Sequence, residues 1–558
     1  MSATKMIRAI SKTRLLLAAM VAVALLLPTT GHAAAPGITG PTFNLTAQAA
    51  YVTQPDGAMI YSWGYGCNGA PGGFAPVLNV AAFCNAMQVP GPTLIVTENT
   101  PFTVTLTNGL PAAAGNTSIL FPGLQLVSTS GGAAGLLTQE AISGSPGSPV
   151  TYTLIATSPG TRSYYSGTQG DLQVEMGLYG AIIVLPASAS VPSACTSPAI
   201  RTNLFGVATA FNQEQDFRLA PAAYDHAKSC YDREYLFQFS EMDPDIHNKA
   251  LAQVSDPVRV SACAASATGA GCSLNVPTEP YHPAYFLING RSMPDDMDPN
   301  YAPEYPHQPY NGNPHMHPGE QVLLRVIGQG RWQHPFHEHG NHVRILGRDG
   351  NLIVSQTDPA NNLAGPLLFT TTTTPGLAFD GIFYWTAKGL NWDAYGHNSA
   401  STDPLAKLAC TPDLNGYNTG VAAQSAINYY EWCQDHNKPV QVAPFGDVAG
   451  GGPATLPDAN ILTNGAWYGG SPYLGPNATL RATGCTFNAA TPPAGSCGQT
   501  GSTPPSGTIA NSPSGEAGFA FMWHSHNERE ITTNNIFPGG MLMMMLVDSR
   551  EFVIDESN

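Results

Sequence analysis

The chain has 558 residues, of which only 11% are charged, and it contains 58 Gly and 48 Pro. The length sets an expectation of two or three domains, and the composition excludes coiled coils and helical bundles in favour of many short strands joined by turns. A formal net charge of −16 argues against nucleic acid or an anionic membrane surface as a partner.

Residues 1–34 carry Lys5, Arg8, Lys12 and Arg14, then an apolar run from Leu15 to Leu27, then Pro28 and a small-residue stretch ending Ala33-Ala34. That is the layout of a secretory signal peptide. The mature protein is expected to be soluble, secreted or periplasmic, without membrane insertion, because the apolar run is short for a span and no later run approaches spanning length.

From Gln88 to Pro111, Phe102, Val104 and Leu106 alternate with threonines, as in a half-buried strand. Leu178–Leu185 reads as the next clear strand and Pro186 to Pro198 as a linker, giving an N-terminal domain over 35–190. The C-terminal domain, 191–558, is predicted to place strands at Glu234–Phe239, Tyr285–Ile288, Gln321–Ile327, Val343–Leu346, Gly381–Thr386, Phe519–Trp523 and Met541–Val547. Between them, about 390–517 is Gly/Pro-rich and predicts an inserted lobe stapled by disulfides, because a structureless loop of that length is improbable in a compact domain.

Ten cysteines suit an oxidising compartment. They fall into the sequence-local pairs Cys67/Cys84, Cys195/Cys230, Cys263/Cys272, Cys410/Cys433 and Cys485/Cys497, for which local bridging is the simplest reading. No CxxC spacing occurs, which argues against a thiolate zinc site or a redox dithiol.

Every histidine of the mature chain lies after residue 225. His334-Pro335-Phe336-His337-Glu338-His339-Gly340 contains one HxH, and Met522-Trp523-His524-Ser525-His526 another, followed by Glu528 and Glu530. Residues two apart on a strand share a face, so His337 points with His339 and His524 with His526. Two such strands side by side make a four-imidazole cup suited to copper, zinc or iron. A lone HxH is more simply an exposed polar strand face; two in one domain tip the balance to metal. His315-Met316-His317, ahead of Pro318-Gly319-Glu320, reads as a solvated hairpin tip, and His247, His282, His342 and His397 as isolated packing or surface residues.

Together these pieces resemble the multicopper oxidases. QVPGPTLIV (88–96) is similar to the family's opening strands, GLYGAIIV (177–184) to the end of its first cupredoxin domain, and HPFHEHG to its HPxHxHG copper motif. PGLAFDGIFYW (375–385) resembles the strand before the final copper loop, and HSH with Pro538-Gly539-Gly540-Met541 a modified form of that loop. The resemblance implies an all-β fold of two cupredoxin-like Greek-key sandwich or barrel domains, with the disulfide-stapled insertion in the second, and copper as cofactor.

The departures bear on function. Where the family's first domain supplies HxHG and HxH, this chain has Ile119-Leu120-Phe121-Pro122-Gly123 and Tyr164-Tyr165-Ser166-Gly167. Where the family has the thiolate of its blue type 1 copper, this chain has Ser525, a poor copper ligand. By resemblance the type 1 remnants are His334 and Met541, with Glu530 in the place of the second imidazole, while His337, His339, His524 and His526 keep half of the trinuclear cluster. Two readings follow. One is a copper-binding oxidoreductase acting on metal ions or small phenols, with Glu338, Glu528 and Glu530 drawing cations or shuttling protons; the other is a non-catalytic copper-binding or extracellular structural protein on the same fold. A third class, carbohydrate binding, has only scattered aromatics such as Trp467 and Tyr468 behind it.

Overall fold

The computed structural model describes residues 35–77, 81–144, 148–196, 216–269, 271–317, 319–358, 362–385 and 517–548, with isolated residues and short pieces elsewhere, including Cys410, Cys433 and 470–474. The expected signal peptide, Cys485, Cys497 and most of the expected inserted lobe lie outside the described residues.

The first half forms two five-stranded sheets. One runs Gly160–Tyr165, Tyr179–Leu185, Leu94–Thr97, Gly37–Thr39, Phe74–Ala75, and the other Met59–Cys67, Thr42–Thr53, Pro101–Asn108, Val150–Ile155, Gln125–Gly131. The alternation expected at Phe102, Val104 and Leu106 is present: all three are buried, and they pair with Leu154, Tyr152 and Val150. Antiparallel pairs combine with parallel ones, Thr42–Ala47 against Thr103–Asn108 and Ile38–Thr39 against Leu94–Ile95. Such mixing arises when long connections carry the chain between sheets, because parallel neighbours cannot be joined by a tight hairpin.

The second half repeats the plan with a seven-stranded and a six-stranded sheet. Arg233–Met242 is buried along its whole length because both its faces are covered. Tyr235, Phe237 and Phe239 enter the second core, while Leu236 packs with Ala181 and Ile183 of the first half.

Helices interrupt the all-β pattern, the longest among the described residues being Pro244–Val254 and Pro257–Ala264. The side chains of Asp243 and Asp256 accept hydrogen bonds from the backbone N–H of Asp245 and Val258 at 2.9 Å each. Each is followed by proline at the first helical position, an arrangement that favours helix initiation. The first helix delivers Ile246, Ala250 and Val254 into the core of the first half, so the two halves share packing. Among the described residues, no helix is long and apolar enough to cross a membrane. Cys67–Cys84, Cys195–Cys230, Cys263–Cys272 and Cys410–Cys433 are bridged as expected.

The segment His315–His317 corrects the sequence expectation. His315 and Met316 form a short parallel pair with Leu546 and Val547, and both imidazoles are buried. Tyr235 Oη donates to the His315 carbonyl at 2.6 Å, and the Arg233–Glu320 ion pair, 2.6 Å, packs beside them. Burial, then the charges of Arg233 and His317, drive the His315 pKa down to about 3. Replacing both histidines with alanine is therefore expected to empty core volume and destabilise the protein by about 2–4 kcal/mol. A denaturant midpoint unchanged from wild type would contradict this.

Candidate metal centre

The strand His334–Glu338 lies between Thr370–Thr373 and Ala517–Ser525, with His337 opposite both Thr370 and His524. Because His337 faces His524 directly, the pleat puts His337, His339, His524 and His526 on one side of the sheet. His334, Phe336, Glu338, Trp523 and Ser525 fall on the other, against the core. Phe336 and Trp523 are fully buried with ring centroids 6.2 Å apart, and Trp523 Nε1 donates to the His339 carbonyl at 2.9 Å. The core thus holds the two HxH strands in register from beneath. Gly340 ends the motif at φ +103°, where a Cβ would lie 2.9 Å from the Phe521 ring, so the glycine after the second histidine is a steric requirement.

Ligand atoms of His337, His339 and His524 lie within 4.8 Å of one another. The His526 ring is 4.7 Å from that of His337 and 5.4 Å from that of His524, and its side chain is 52% exposed. His337 Nδ1 pairs with Thr370 Oγ1 at 2.6 Å, and His524 Nδ1 donates to the Ser525 carbonyl at 2.7 Å. These contacts fix ring orientation, as partners of metal-ligating histidines do, and His524 Nε2 lies 3.3 Å from His339 Nε2. Burial, and then the like charge of His339, His524 and His526, pulls the His337 pKa down to about 3. His524 is lowered too, chiefly by burial. Both shifts favour the neutral ring, the state in which imidazole binds metal.

His334, Glu530 and Met541 do not join this cluster. His334 Nδ1 is 2.8 Å from Glu530 Oε2 and Nε2 is 2.9 Å from Glu241 Oε2, all on the core face. Met541 is buried and its N–H donates to the Glu530 carbonyl at 2.8 Å. Of the other carboxylates, Glu338 is fully buried on the core face with neither oxygen hydrogen-bonded among the described residues, and burial raises its pKa well above the usual range. Glu528 is exposed, 3.6 Å from His526 Nδ1.

Sequence reasoning missed Glu241, Thr370 and the aromatic rim. Phe369 is 40% exposed and edge-on to His337 at 5.7 Å; His342, expected to be isolated, packs 5.0 Å from Phe369. In the first half, Leu120 and Tyr165 form a backbone bridge. Ile119, Leu120, Phe121 and Pro122 there line an apolar pocket of ≈ 290 Å³.

Paired sheets with mixed strand directions in both halves make this a cupredoxin-like β protein. Residues 78–189 match the family model described as multicopper oxidase. Solved structures similar to it include multicopper oxidase mgLAC, 14% identical over 91% of this chain and 85% of that one with a TM-score of 0.41. The blue copper oxidase from Nitrosomonas europaea is also 14% identical, over 90% and 85%, with a TM-score of 0.41. A search of curated proteins finds no match.

Proposed function

We propose that this protein is an exported copper-binding member of the multicopper oxidase family whose metal is held by His337, His339, His524 and His526. The supporting observation is the convergence of three imidazoles within 4.8 Å, with a fourth at the solvent edge. Neutral nitrogen donors suit copper, zinc or iron, and copper stands highest in the affinity order for such sites. Copper does not fit the core face. There Ser525 replaces the thiolate of a blue site, and both nitrogens of His334 face carboxylates. A three-copper cluster does not fit either, because the first half offers no histidine among its described residues.

Bound copper would supply one-electron chemistry. Half-exposed His526 leaves the centre open to solvent, so a small reductant, a metal ion or a phenol, would reach it directly. Phe369 supplies the aromatic wall on which a phenol ring would rest, and His342 beside it a proton acceptor at the rim. The closed core face favours the second reading, copper binding without turnover, which assays with ferrous iron and a simple phenol decide.

Exported protein loaded with copper is expected to contain about one ion per chain and to lack the intense blue absorption of a copper–thiolate site. Three ions per chain, or a strong blue band, would overturn this assignment.

A further inference from the structure

Beneath the imidazole cup lies a second polar cluster with no role in holding the metal. His334 sits between Glu530 of the 3-10 turn Glu528–Ile531 and Glu241 of the strand Arg233–Met242, at 2.8 and 2.9 Å, and all three residues are fully or almost fully buried. Both partners are carboxylate oxygens, which as anions only accept hydrogen bonds. With both carboxylates ionised, a neutral imidazole would turn one lone pair against an anion, whereas the doubly protonated ring satisfies both contacts.

The remaining carboxylate oxygens are also engaged. Glu241 Oε1 accepts from the backbone N–H of Arg331 and Trp332 at 2.7 and 2.8 Å. The Tyr281 hydroxyl, 3.2 Å from the same oxygen, lies 2.6 Å from Glu175 Oε2, with the Arg331 guanidinium 4.2 Å over its ring. Gly330 makes room for this arrangement: at φ +65°, a Cβ would come within 2.5 Å of Glu241 Oε2. Glu530 Oε1 accepts from Asn527 Nδ2 at 2.8 Å, and its Oε2 also accepts from Ser525 Oγ.

The Glu530 carboxylate thereby bonds the first residue of one HxH strand and the two residues flanking His526 at the end of the other. We propose that Glu241, His334 and Glu530 form a metal-free carboxylate–imidazolium–carboxylate cluster that sets the spacing of the two HxH strands, making His334 and Glu530 positioning residues for the cup. The role of the cluster as a positioning device rests on the four-imidazole reading; its charge state does not. Burial works against the charge on His334, but the hydrogen bonds and charges of Glu241 and Glu530 outweigh it and raise its pKa to about 9. A metal ion at His334 would have to displace that proton and a carboxylate together.

Two measurements test the cluster. In metal-free, ¹⁵N-histidine-labelled protein at pH 7, His334 is expected to show both ring nitrogens protonated and to lose a proton only near pH 9, while His337 and His524 are neutral. Glu241, Glu530 and, behind Glu241, Tyr281, Arg331 and Glu175 are the titratable groups that surround it. A neutral His334 at pH 7 would overturn the charge assignment. In the copper-loaded protein, Glu530→Gln is expected to weaken copper binding about 10-fold or more, within the range for groups that orient ligands, and to change the copper hyperfine splitting; Glu530→Asp should restore part of both. A Glu530→Gln protein with wild-type affinity and spectrum would overturn the positioning role. Wild-type protein that takes up no copper would defeat the four-imidazole reading and with it the positioning role, and the nitrogen spectra of metal-free protein would still decide the charge state of His334.

Discussion

Replacing His337 and His339 together with alanine is expected to abolish copper loading while the far-ultraviolet β signature persists. Both rings project from the same face of one strand, so the change removes half of the donors and leaves His524 and His526, of which the latter is half exposed. Two imidazoles on one strand compete poorly with buffer and with chelators for copper. The fold should tolerate the change because Phe336 and Trp523, which hold the strands together, lie on the opposite face. His524→Ala with His526→Ala should behave alike, and either double variant should lose far more than the sum of its single substitutions, since a partly filled site retains chelation. The His315→Ala/His317→Ala protein supplies the contrast: it should keep its copper and lose stability. If that variant loses copper while the His337/His339 variant retains it, the metal centre has been assigned to the wrong strand pair.

That contrast shows how far sequence carries. Three HxH triplets read alike in one dimension, because the period of two places any such pair on a common face. Burial separates them, and burial comes from partners far away in sequence. His315 is covered by pairing with Leu546, and His334 is closed off by Glu241, 93 residues earlier; neither contact has a local signature. The HPxHxHG pattern encodes both the strand face that His337 and His339 share and the glycine that must pack on Phe521. The resemblance also placed Glu530 near His334, without revealing that the two would pair as acid and base. The two helices were legible in principle: Asp243-Pro244 and Asp256-Pro257 are helix-start signals, overridden by a composition that favours strands. Strand interiors such as Tyr285–Ile288 were read correctly because a short continuous run of aromatic and aliphatic residues between Pro283 and Gly290 agrees with burial on both faces, whereas Arg233–Met242 extends past both ends of its expected span because its outer face is covered by the first half.

The junction between the halves yields the other large effect. Arg325, fully buried in the seven-stranded sheet, donates from Nε to Glu234 Oε2 at 2.8 Å and from Nη1 to Thr161 Oγ1 at 3.2 Å, and lies 3.5 Å from Asp380 Oδ1. Asp380 in turn accepts from the Thr161 N–H at 3.0 Å, from Thr161 Oγ1 at 2.6 Å and from the Tyr224 hydroxyl at 2.6 Å. One guanidinium thus compensates two buried carboxylates, one of which anchors the strand Gly160–Tyr165 of the first half. Although burial opposes the charge, Glu234 and Asp380 raise the pKa of Arg325 above its ordinary value. Arg325→Met preserves much of the volume but removes the guanidinium that bonds Glu234 and lies beside Asp380, for which the expected loss is about 3–5 kcal/mol. Thr161→Val removes one hydroxyl and no charge, and should lose only about 1 kcal/mol. The comparison is read from the first transition in denaturant unfolding, because two packed halves need not unfold as one. Copper content of the folded fraction should stay at the wild-type level, since the HxH strands belong to the other sheet. An Arg325→Met protein as stable as the Thr161→Val protein would show that the carboxylates find other partners and that this ion cluster does not hold the halves together.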